Sequence, residues 1–451
     1  STLSSSSAAS DVYKRQDLAS LPPPTSITLR NGSGHPKWVD FASGLVNTAI
    51  SSKLVKGGNI AVLEDLTIID LTDERGIYGA KLLSDLGANV IRPEPRDGDP
   101  LRKRGPLREA RDPDLASLWY AFFASNRRFF SLSLEDENEC QALRRQISRA
   151  DIILRCDNHF TEPVIDIDTL IQENPNLILI DMSSFGKTGP WKDYLAPDLI
   201  AGALGGSAAT TGDFDTPPLK GFGELNFMVS GAYLAIAALS ALYDRGESGS
   251  GQSASISVHE AIASCLEHVF MFYWYADTLD RKEGKVLPRR GALHWSDAYD
   301  VMKTKKGSIM ITPTPDFDNQ LMWLIEEGVQ EDLIDPKYLE PENLRMRVDR
   351  SMEILRKWAL TKEAEPLFFE AQSRHAPYGW VLPLEELMQN PQLRARSWFR
   401  EQSIEDQTVE CPGAPFRLKR EGEEIKLPLA AHVGPEEHKE QLLKEIGWDA
   451  K

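Results

Sequence analysis

Residues 66–91, LTIIDLTDERGIYGAKLLSDLGANVI, decide the fold class. They begin with a short, β-branched apolar run at 66–71, which predicts a buried strand. Apolar residues then recur at helical spacing through 78–86, and Gly87 is placed to end that helix. Residues 89–91 predict a second strand. A strand, a helix and a strand within about 25 residues predict a βαβ unit with a right-handed crossover and parallel strands.

The same alternation continues along the chain. Further strands are predicted at residues 130–134, 151–154, 177–182 and 253–257, with helices at 137–148, 168–173, 223–243 and 257–275. A hairpin at 299–311, helices at 316–327 and 343–360 and a last helix at 436–446 follow. The fold class is therefore predicted to be α/β, with a large Rossmann-like open parallel-sheet domain and a smaller α+β domain.

A length of 451 residues exceeds what one hydrophobic core usually organises, so several domains are expected. Residues 1–16 are serine-rich and resemble the translation of a sequencing adapter, so no part of the fold is predicted from them. The predicted division is an N-terminal tail or linker at 1–55, the large domain at 56–240, a linker strand and helix at 241–289, the small domain at 290–380, and a return to the large domain at 381–451.

The composition excludes several classes of function. A net charge of −17 without a basic stripe is unlike a nucleic-acid binder. The most apolar run, residues 228–243, is shorter than the roughly 20 residues a bilayer needs. Four separated cysteines and the absence of a signal sequence predict a cytoplasmic protein. The sequence contains no dinucleotide-binding glycine motif, P-loop, nucleophile elbow or HExxH pair, so neither a metal nor a redox cofactor is predicted.

A series of short motifs, in a defined order along the chain, is the basis for comparison with a known family. They are residues 69–72 (IDLT), 81–92 (KLLSDLGANVIR), 98–102 (GDPLR), 184–190 (SFGKTGP), 197–206 (PDLIAGALGG), 249–252 (GSGQ), 256–261 (ISVHEA), 376–379 (APYG), 390–396 (NPQLRAR) and 412–416 (PGAPF). In this order they resemble family III CoA-transferases, the CaiB/BaiF family, over roughly residues 60–451. Each motif alone is weak, whereas the ordered series is specific.

The resemblance implies a transferase that moves coenzyme A from an acyl-CoA to a free carboxylic acid. The family's catalytic aspartate corresponds to Asp198, which would attack the thioester and form an anhydride and then an aspartyl-CoA thioester. From sequence order alone, a simple N-cap after Pro197 is an equal alternative for Asp198.

The resemblance also implies the binding residues and partners. Coenzyme A would be bound by Arg92, Arg102, Asn126 and Arg127, and the glycines Gly205 and Gly206 would let backbone N–H groups approach the reacting oxygen. The CoA thioester is itself the co-substrate. An intertwined homodimer is expected, with no nucleic-acid or membrane partner.

Departures from the family pattern leave two alternatives open. An Arg-Pro pair is missing near residues 157–160, and Gly202 replaces a frequent glutamine. One alternative is an acyl-CoA racemase, whose histidine would align near Asp168, with His159 the nearest histidine. The other is a catalytically weak CoA-binding subunit of a two-chain CoA-transferase.

Overall fold

The computed structural model describes residues 61–213, 215–275, 289, 298–312 and 317–448. The predicted tail at 1–55 and most of residues 276–297 lie outside this part of the chain. The main sheet has six strands: β1 Thr67–Leu71, β2 Asn89–Pro95, β3 Arg127–Leu132, β4 Ile152–Cys156, β5 Ile178–Ser183 and β6 Ser253–Ser257. All five strand pairings in this sheet are parallel, as the βαβ pattern predicts.

Helices cover both faces of this sheet. They are α1 Ile77–Asp85, α2 Leu118–Phe123, α3 Glu137–Ile147, α4 Ile167–Glu173, α5 Asp198–Leu204, α6 Leu225–Ser248, α7 Val258–Ala263 and α8 Glu267–Trp274. The apolar side chains of α1, α6 and α7 form one core with the sheet, and those of α3 and α4 form the core on the opposite face. The continuous helix predicted at 257–275 is wrong, because a 3-10 turn at Ser264–Leu266 separates α7 from α8.

Helix α6 packs on α1 through two glycines. A Cβ atom added to Gly79 would lie 2.3 Å from the carbonyl oxygen of Gly231, so only glycine permits this backbone contact. With 24 residues, α6 is longer than the apolar run that the sequence indicates, and by length and composition it could cross a membrane. Of its most apolar window 44% is buried, and the buried apolar side chains of α6 belong to the core of the main sheet.

A smaller sheet follows in the chain. Its strands are β7 Asp300–Lys303, β8 Ser308–Ile311 and β9 Gly379–Trp380, all antiparallel. The helices α9 Phe317–Glu326, α10 Leu344–Ala359 and α11 Ala364–Ser373 share one apolar core with this sheet. The predicted hairpin at 299–311 and the α+β character of this region are therefore confirmed.

The remaining chain leads back to the main sheet. Its elements are α12 Leu384–Met388, α13 Pro391–Ala395, β10 Phe399–Ile404, β11 Gln407–Pro412, β12 Lys419–Arg420, β13 Glu423–Glu424 and α14 Lys439–Glu445. Leu442 of α14 is fully buried in the same core as α3 and α4. Single 3-10 turns occur at Pro100–Lys103, Pro113–Leu115, Glu162–Val164, Ala208–Thr210, Pro336–Tyr338 and Pro341–Asn343. Strand β6 belongs to the main sheet although the predicted division assigns it to a linker, and the exact domain boundaries stay a prediction.

Candidate active site

The order of the strands places a crevice at one edge of the main sheet. The order is β3-β2-β1-β4-β5-β6, so the chain first moves outward from β1 and then returns to its other side at β4. Open parallel sheets bind ligands at the carboxyl ends of the strands where this reversal occurs. A cavity of about 250 Å³ lies there, lined by Thr72, Asp73, Glu74, Arg92, Pro95, Asp99, Pro100, Leu101, Cys156, Asp157, Asn158, His159 and Phe160.

A buried group of charges lies next to this crevice, and two of its members, Arg92 and Asp99, line the cavity. Asp70, near the end of β1, accepts a hydrogen bond from the Thr72 hydroxyl at 2.6 Å and lies 3.1 Å from Arg92 and 3.3 Å from Arg127. Arg92 also pairs with Asp99 at 2.6 Å. We call Asp70, Arg92, Arg127 and Asp99 the Asp70 cluster.

The charges of the Asp70 cluster compensate one another. Burial alone would raise the pKa of Asp70, but the charges of Arg92 and Arg127 and the Thr72 hydrogen bonds hold this pKa below its ordinary value. Asp70 therefore stays ionised, and both guanidinium groups are committed to carboxylates within the protein. Within the described residues, Nη1 of Arg92 forms no hydrogen bond although it lies 3.1 Å from Asp70, so a phosphate that reaches this nitrogen need not open the pair with Asp99.

Arg102 has a similar environment. Its guanidinium group forms two hydrogen bonds with Glu94, at 2.7 and 2.9 Å, and the Tyr120 hydroxyl donates to the same carboxylate at 2.8 Å. Arg102 also donates to the carbonyl oxygens of Asp114 and Val433. It follows Pro100 and Leu101 of the cavity wall, but four of its five N–H donors are already used inside the protein.

Asp198 begins helix α5, with Pro197 at the N-cap position. The alternative in which Asp198 caps its own helix is wrong, because its carboxylate accepts from another helix. Oδ1 accepts the backbone N–H of Phe227 at 3.0 Å, and Oδ2 accepts the side-chain amide of Asn226 at 2.9 Å. Both donors belong to the first turn of α6, whose N-terminal N–H groups have no partners within the helix.

A cation completes the surroundings of Asp198. The Lys220 ammonium lies 3.1 Å from Oδ2 of Asp198, and the side chains are 26% and 6% exposed, respectively. Asn226 is itself oriented by the Ser207 hydroxyl, which donates to its amide oxygen at 3.0 Å. Sequence reasoning missed Lys220 and Asn226. The available signal was an amide at the start of an apolar helix, because a buried polar group needs a partner.

A chain of hydrogen bonds connects the crevice with the segment that precedes Asp198. Arg75, which follows β1, pairs with Asp157 in the cavity wall at 2.6 Å and donates to the Ser184 hydroxyl. The same hydroxyl accepts the N–H of Ala196, two residues before Asp198, at 3.2 Å. The nucleophile predicted from the sequence and the crevice therefore lie along one edge of the sheet.

The other predicted binding residues are placed differently. Asn126 precedes β3 and so lies at the amino end of that strand, where it bonds to Asp85, Pro428 and Ala430. Arg127 points to Asp70 from the start of the same strand. The role of Asn126, Arg127, Arg92 and Arg102 in CoA binding stays a prediction, and within the described residues Asn126 has no contact that connects it to the crevice.

The two predicted glycines lie at the end of α5. The Gly205 N–H donates to the carbonyl oxygen of Ala201, so this donor is used by the helix. A Cβ atom on Gly205 would lie 2.7 Å from Ile262 of α7, and one on Gly206 would lie 2.6 Å from Leu266. The observed use of the two glycines is close packing of the end of α5 on α7 and on the 3-10 turn that follows it, and their approach to a reacting oxygen stays a prediction.

His159 bears on the racemase alternative. It lines the cavity, and its Nδ1 lies 2.8 Å from the Thr161 hydroxyl. Burial lowers the pKa of His159 to about 4, and the charge of Arg92 adds to this effect. Among the contacts of the described residues, none joins His159 to Asp198. The side chain of Asp168, near which the racemase histidine would align, is outside what the structure describes.

Known proteins resemble this chain both in sequence and in fold. The family model for CoA-transferase family III matches residues 63–431. The solved structure of a CaiB/BaiF family protein from Brucella suis has a TM-score of 0.73, with 22% identity, and the match covers 86% of this chain and 99% of that one. The structural similarity concerns the fold.

Two curated relatives are similar over most of their length. The chain is 27% identical over 397 residues to the BbsE subunit of succinyl-CoA:(R)-benzylsuccinate CoA-transferase from Thauera aromatica, covering 85% of this chain and 94% of the relative. It is 28% identical over 365 residues to acetyl-CoA:oxalate CoA-transferase from Acetobacter aceti, covering 79% of this chain and 88% of the relative.

Proposed function

The chain belongs to CoA-transferase family III, and we propose that Asp198 is the nucleophile through which it moves coenzyme A from an acyl-CoA to a free carboxylic acid. The surroundings of its carboxylate are the main support for this role. Two donors in the first turn of α6 and the ammonium of Lys220 in the preceding loop hold the carboxylate. A carboxylate held in this way presents its oxygen in a defined direction and needs no proton transfer to react.

The crevice supports a role in holding coenzyme A. Its volume of about 250 Å³ suits one part of the molecule, such as the adenine ring, rather than the whole. Phe160 and His159 supply flat surfaces for a ring, whereas Asp73, Glu74 and Asp157 add negative charge to the wall. We infer that the phosphate groups extend beyond this acidic wall. No step of the reaction is assigned to a metal or a redox cofactor.

Succinate is our first choice of acid. The donor named for the relative from Thauera aromatica is succinyl-CoA, and oxalate is named as the acceptor of the relative from Acetobacter aceti. Succinate, the acid that succinyl-CoA would release, and oxalate are both small dicarboxylates. This supports a site that accepts a second negative charge near the reacting carboxylate.

A transfer assay tests the proposal. The protein is incubated with succinyl-CoA and a panel of unlabelled acids, and new acyl-CoA products are identified by chromatography with mass detection. We expect at least one acid to be converted, and Asp198→Asn to lower the rate by at least about a thousandfold, because the nucleophile is lost. Asp300→Asn, in the small sheet, is the control, since Asp300 is also a buried, paired aspartate. Transfer that survives Asp198→Asn contradicts the proposal.

We propose that a second copy of the chain covers one apolar surface. Exposed large apolar side chains occur on three helices: Leu199, Ile200 and Leu204 of α5, Tyr233, Ile236, Leu239 and Tyr243 of α6, and Phe270, Met271, Tyr273 and Trp274 of α8. An apolar surface of this kind is typical of an interface. The expected mass in light scattering is twice 50.4 kDa, and a monomer would contradict the homodimer.

The second candidate, one subunit of a two-chain CoA-transferase, is favoured by one observation. The relative from Thauera aromatica is named as a subunit. In that case the purified chain would give no transfer alone and would gain activity with a second, related chain. Localisation in the cytoplasm is part of the same proposal.

A further inference from the structure

Lys220 is held beside Asp198 by the main chain of its own loop. Besides Oδ2 of Asp198, its ammonium donates to the carbonyl oxygens of Gly221, at 3.3 Å, and Gly223. An ammonium group has three donors, and this arrangement uses all of them. In the described part of the chain, Asp198 is the one carboxylate paired with Lys220.

The two oxygens of Asp198 are held by different kinds of donor. Oδ1 accepts the backbone N–H of Phe227. This N–H is fixed in helix α6, so it cannot move together with a leaving group. Oδ2 accepts from two side chains, the amide of Asn226, which can turn, and the ammonium of Lys220. The geometry therefore favours Oδ2 as the oxygen that attacks, with Oδ1 retained as the carbonyl oxygen at the N–H of Phe227.

The proposed reaction changes the charge beside Lys220. Oδ2 attacks the carbonyl carbon of the acyl-CoA, the carbon–sulfur bond breaks, and coenzyme A leaves as a thiolate with the bonding electron pair. The thiolate then attacks the carbonyl carbon of Asp198, the bond from that carbon to Oδ2 breaks, and the first acid leaves as a carboxylate that contains Oδ2. The resulting aspartyl-CoA thioester is neutral, so Lys220 has lost its counterion.

The lysine cannot simply turn away at that point. The carbonyl oxygens of Gly221 and Gly223 keep its ammonium beside the position that Oδ2 occupied, and its side chain is only 26% exposed. A fixed and partly buried cation without a counterion attracts an anion. The acceptor acid must bring its carboxylate to the same carbonyl carbon of Asp198.

We propose that Lys220 is the receptor for the carboxylate of the acid substrate. It pairs with Asp198 in the free enzyme and with the substrate carboxylate when Asp198 carries coenzyme A, so the charge of the acid replaces the charge that Asp198 has lost. The inference rests on the proposed function. It distinguishes Lys220 from Arg92, Arg102 and Arg127, whose carboxylate partners take no part in the reaction.

A binding experiment tests the exchange without turnover. Asp198→Asn makes the residue neutral, as it is in the thioester, and succinate is titrated into the protein in a calorimeter. We expect Asp198→Asn to bind succinate at least about tenfold more tightly than the unmodified protein, because Lys220 is then free. The double variant Asp198→Asn/Lys220→Met should lose this gain. Equal succinate binding by all three proteins, or a gain that survives Lys220→Met, would overturn the inference.

Steady-state kinetics separate recognition of the acid from support of the fold. For Lys220→Met we expect the KM for the acid to rise at least about tenfold, whereas the KM for the acyl-CoA changes by less than about twofold. Lys220→Arg should restore part of the loss. Lys357→Met is the matched control, because Lys357 also lies 3.1 Å from a carboxylate, that of Glu331, but in the small α+β region.

The outcomes distinguish this inference from the proposed function. If Lys220→Met transfers coenzyme A with an unchanged KM for the acid, or if both KM values rise equally, Lys220 does not receive the acid and Asp198 remains the nucleophile. If the unmodified protein gives neither transfer nor a covalent CoA adduct, the proposed function fails and the inference fails with it.

Discussion

Two aspartates at the same edge of the sheet have opposite surroundings. Asp70 and its partners Arg92 and Arg127 have almost no exposed side-chain surface, and each of their charges lies beside a buried charge of opposite sign. Asp198 is paired with a lysine that solvent reaches and with donors at the start of a helix. The difference indicates that Asp70 stabilises the fold around the crevice, whereas Asp198 is placed to react.

Neutralising Asp70 should have the largest effect on stability. Asp70→Asn leaves the buried Arg127 without its only carboxylate partner among the described residues. Removing one member of a buried ion pair costs about 3–5 kcal/mol in free energy of unfolding, measured by urea denaturation.

Two further substitutions calibrate this result. Asp300→Asn should cost less, because its partner Arg356 is 45% exposed and can turn to solvent. Asp198→Asn should also cost less than Asp70→Asn, because Lys220 is 26% exposed whereas Arg92 and Arg127 are buried. A loss for Asp70→Asn no greater than that for Asp300→Asn would remove the distinction between the two aspartates.

Acid should weaken the fold next to the Asp70 cluster. His432 is buried against the ring of Tyr120, and burial lowers its pKa to about 3, with the charges of Arg102 and Arg108 adding to the effect. Since the unfolded chain takes up this proton near the ordinary pKa of 6.5, the stability contributed by neutral His432 is present above pH 6.5 and decreases as the pH falls toward 3.

The expected loss between pH 8 and pH 5 is about 2 kcal/mol from this one residue. Urea denaturation of His432→Gln over this range should show a shallower pH dependence than the unmodified protein. His375→Gln is the control, because the His375 side chain is exposed. Parallel pH profiles for His432→Gln and the unmodified protein would show that His432 is protonated equally in both states.

A smaller effect is expected at Gly202. A Cβ atom there would lie 2.7 Å from the amide nitrogen of Asn226 and 3.1 Å from the Ser207 hydroxyl, so Gly202→Ala should displace the amide that holds Oδ2 of Asp198. We expect kcat to fall about tenfold, equivalent to about 1.4 kcal/mol, with little change in melting temperature. Gly379→Ala, whose Cβ would meet Met310 at an ordinary 3.6 Å, is the control. Equal kcat values for both variants would show that Asn226 does not position Asp198.

Local pattern was sufficient to predict the framework of the main sheet. The alternation of β-branched runs with residues at helical spacing is a short-range property, and it predicts β1, α1 and β2 with errors of only a few residues at their ends. The end of α6 was missed because Asp244, Arg245 and Glu247 are charged although they are still helical. An apolar pattern marks the buried part of a helix rather than its full length.

The partners of Asp198 could not be predicted in the same way. Asp198 itself follows from the resemblance to the family, whereas Asn226 is 28 residues away along the chain and reaches Asp198 only because α5 and α6 pack together. The same limit applies to the arginines. Their charge favoured anion binding, and only tertiary structure shows that Asp70, Asp99 and Glu94 occupy them.

Mass spectrometry of the covalent intermediate tests the role of Asp198 most directly. The protein is incubated with succinyl-CoA in the absence of an acceptor acid, digested rapidly and analysed beside Asp198→Asn, with borohydride or hydroxylamine added to parallel samples. The account predicts a CoA adduct on the peptide that contains Asp198, its removal by either reagent, and its absence from the variant. CoA transfer without any adduct, or an adduct on another residue, would contradict it.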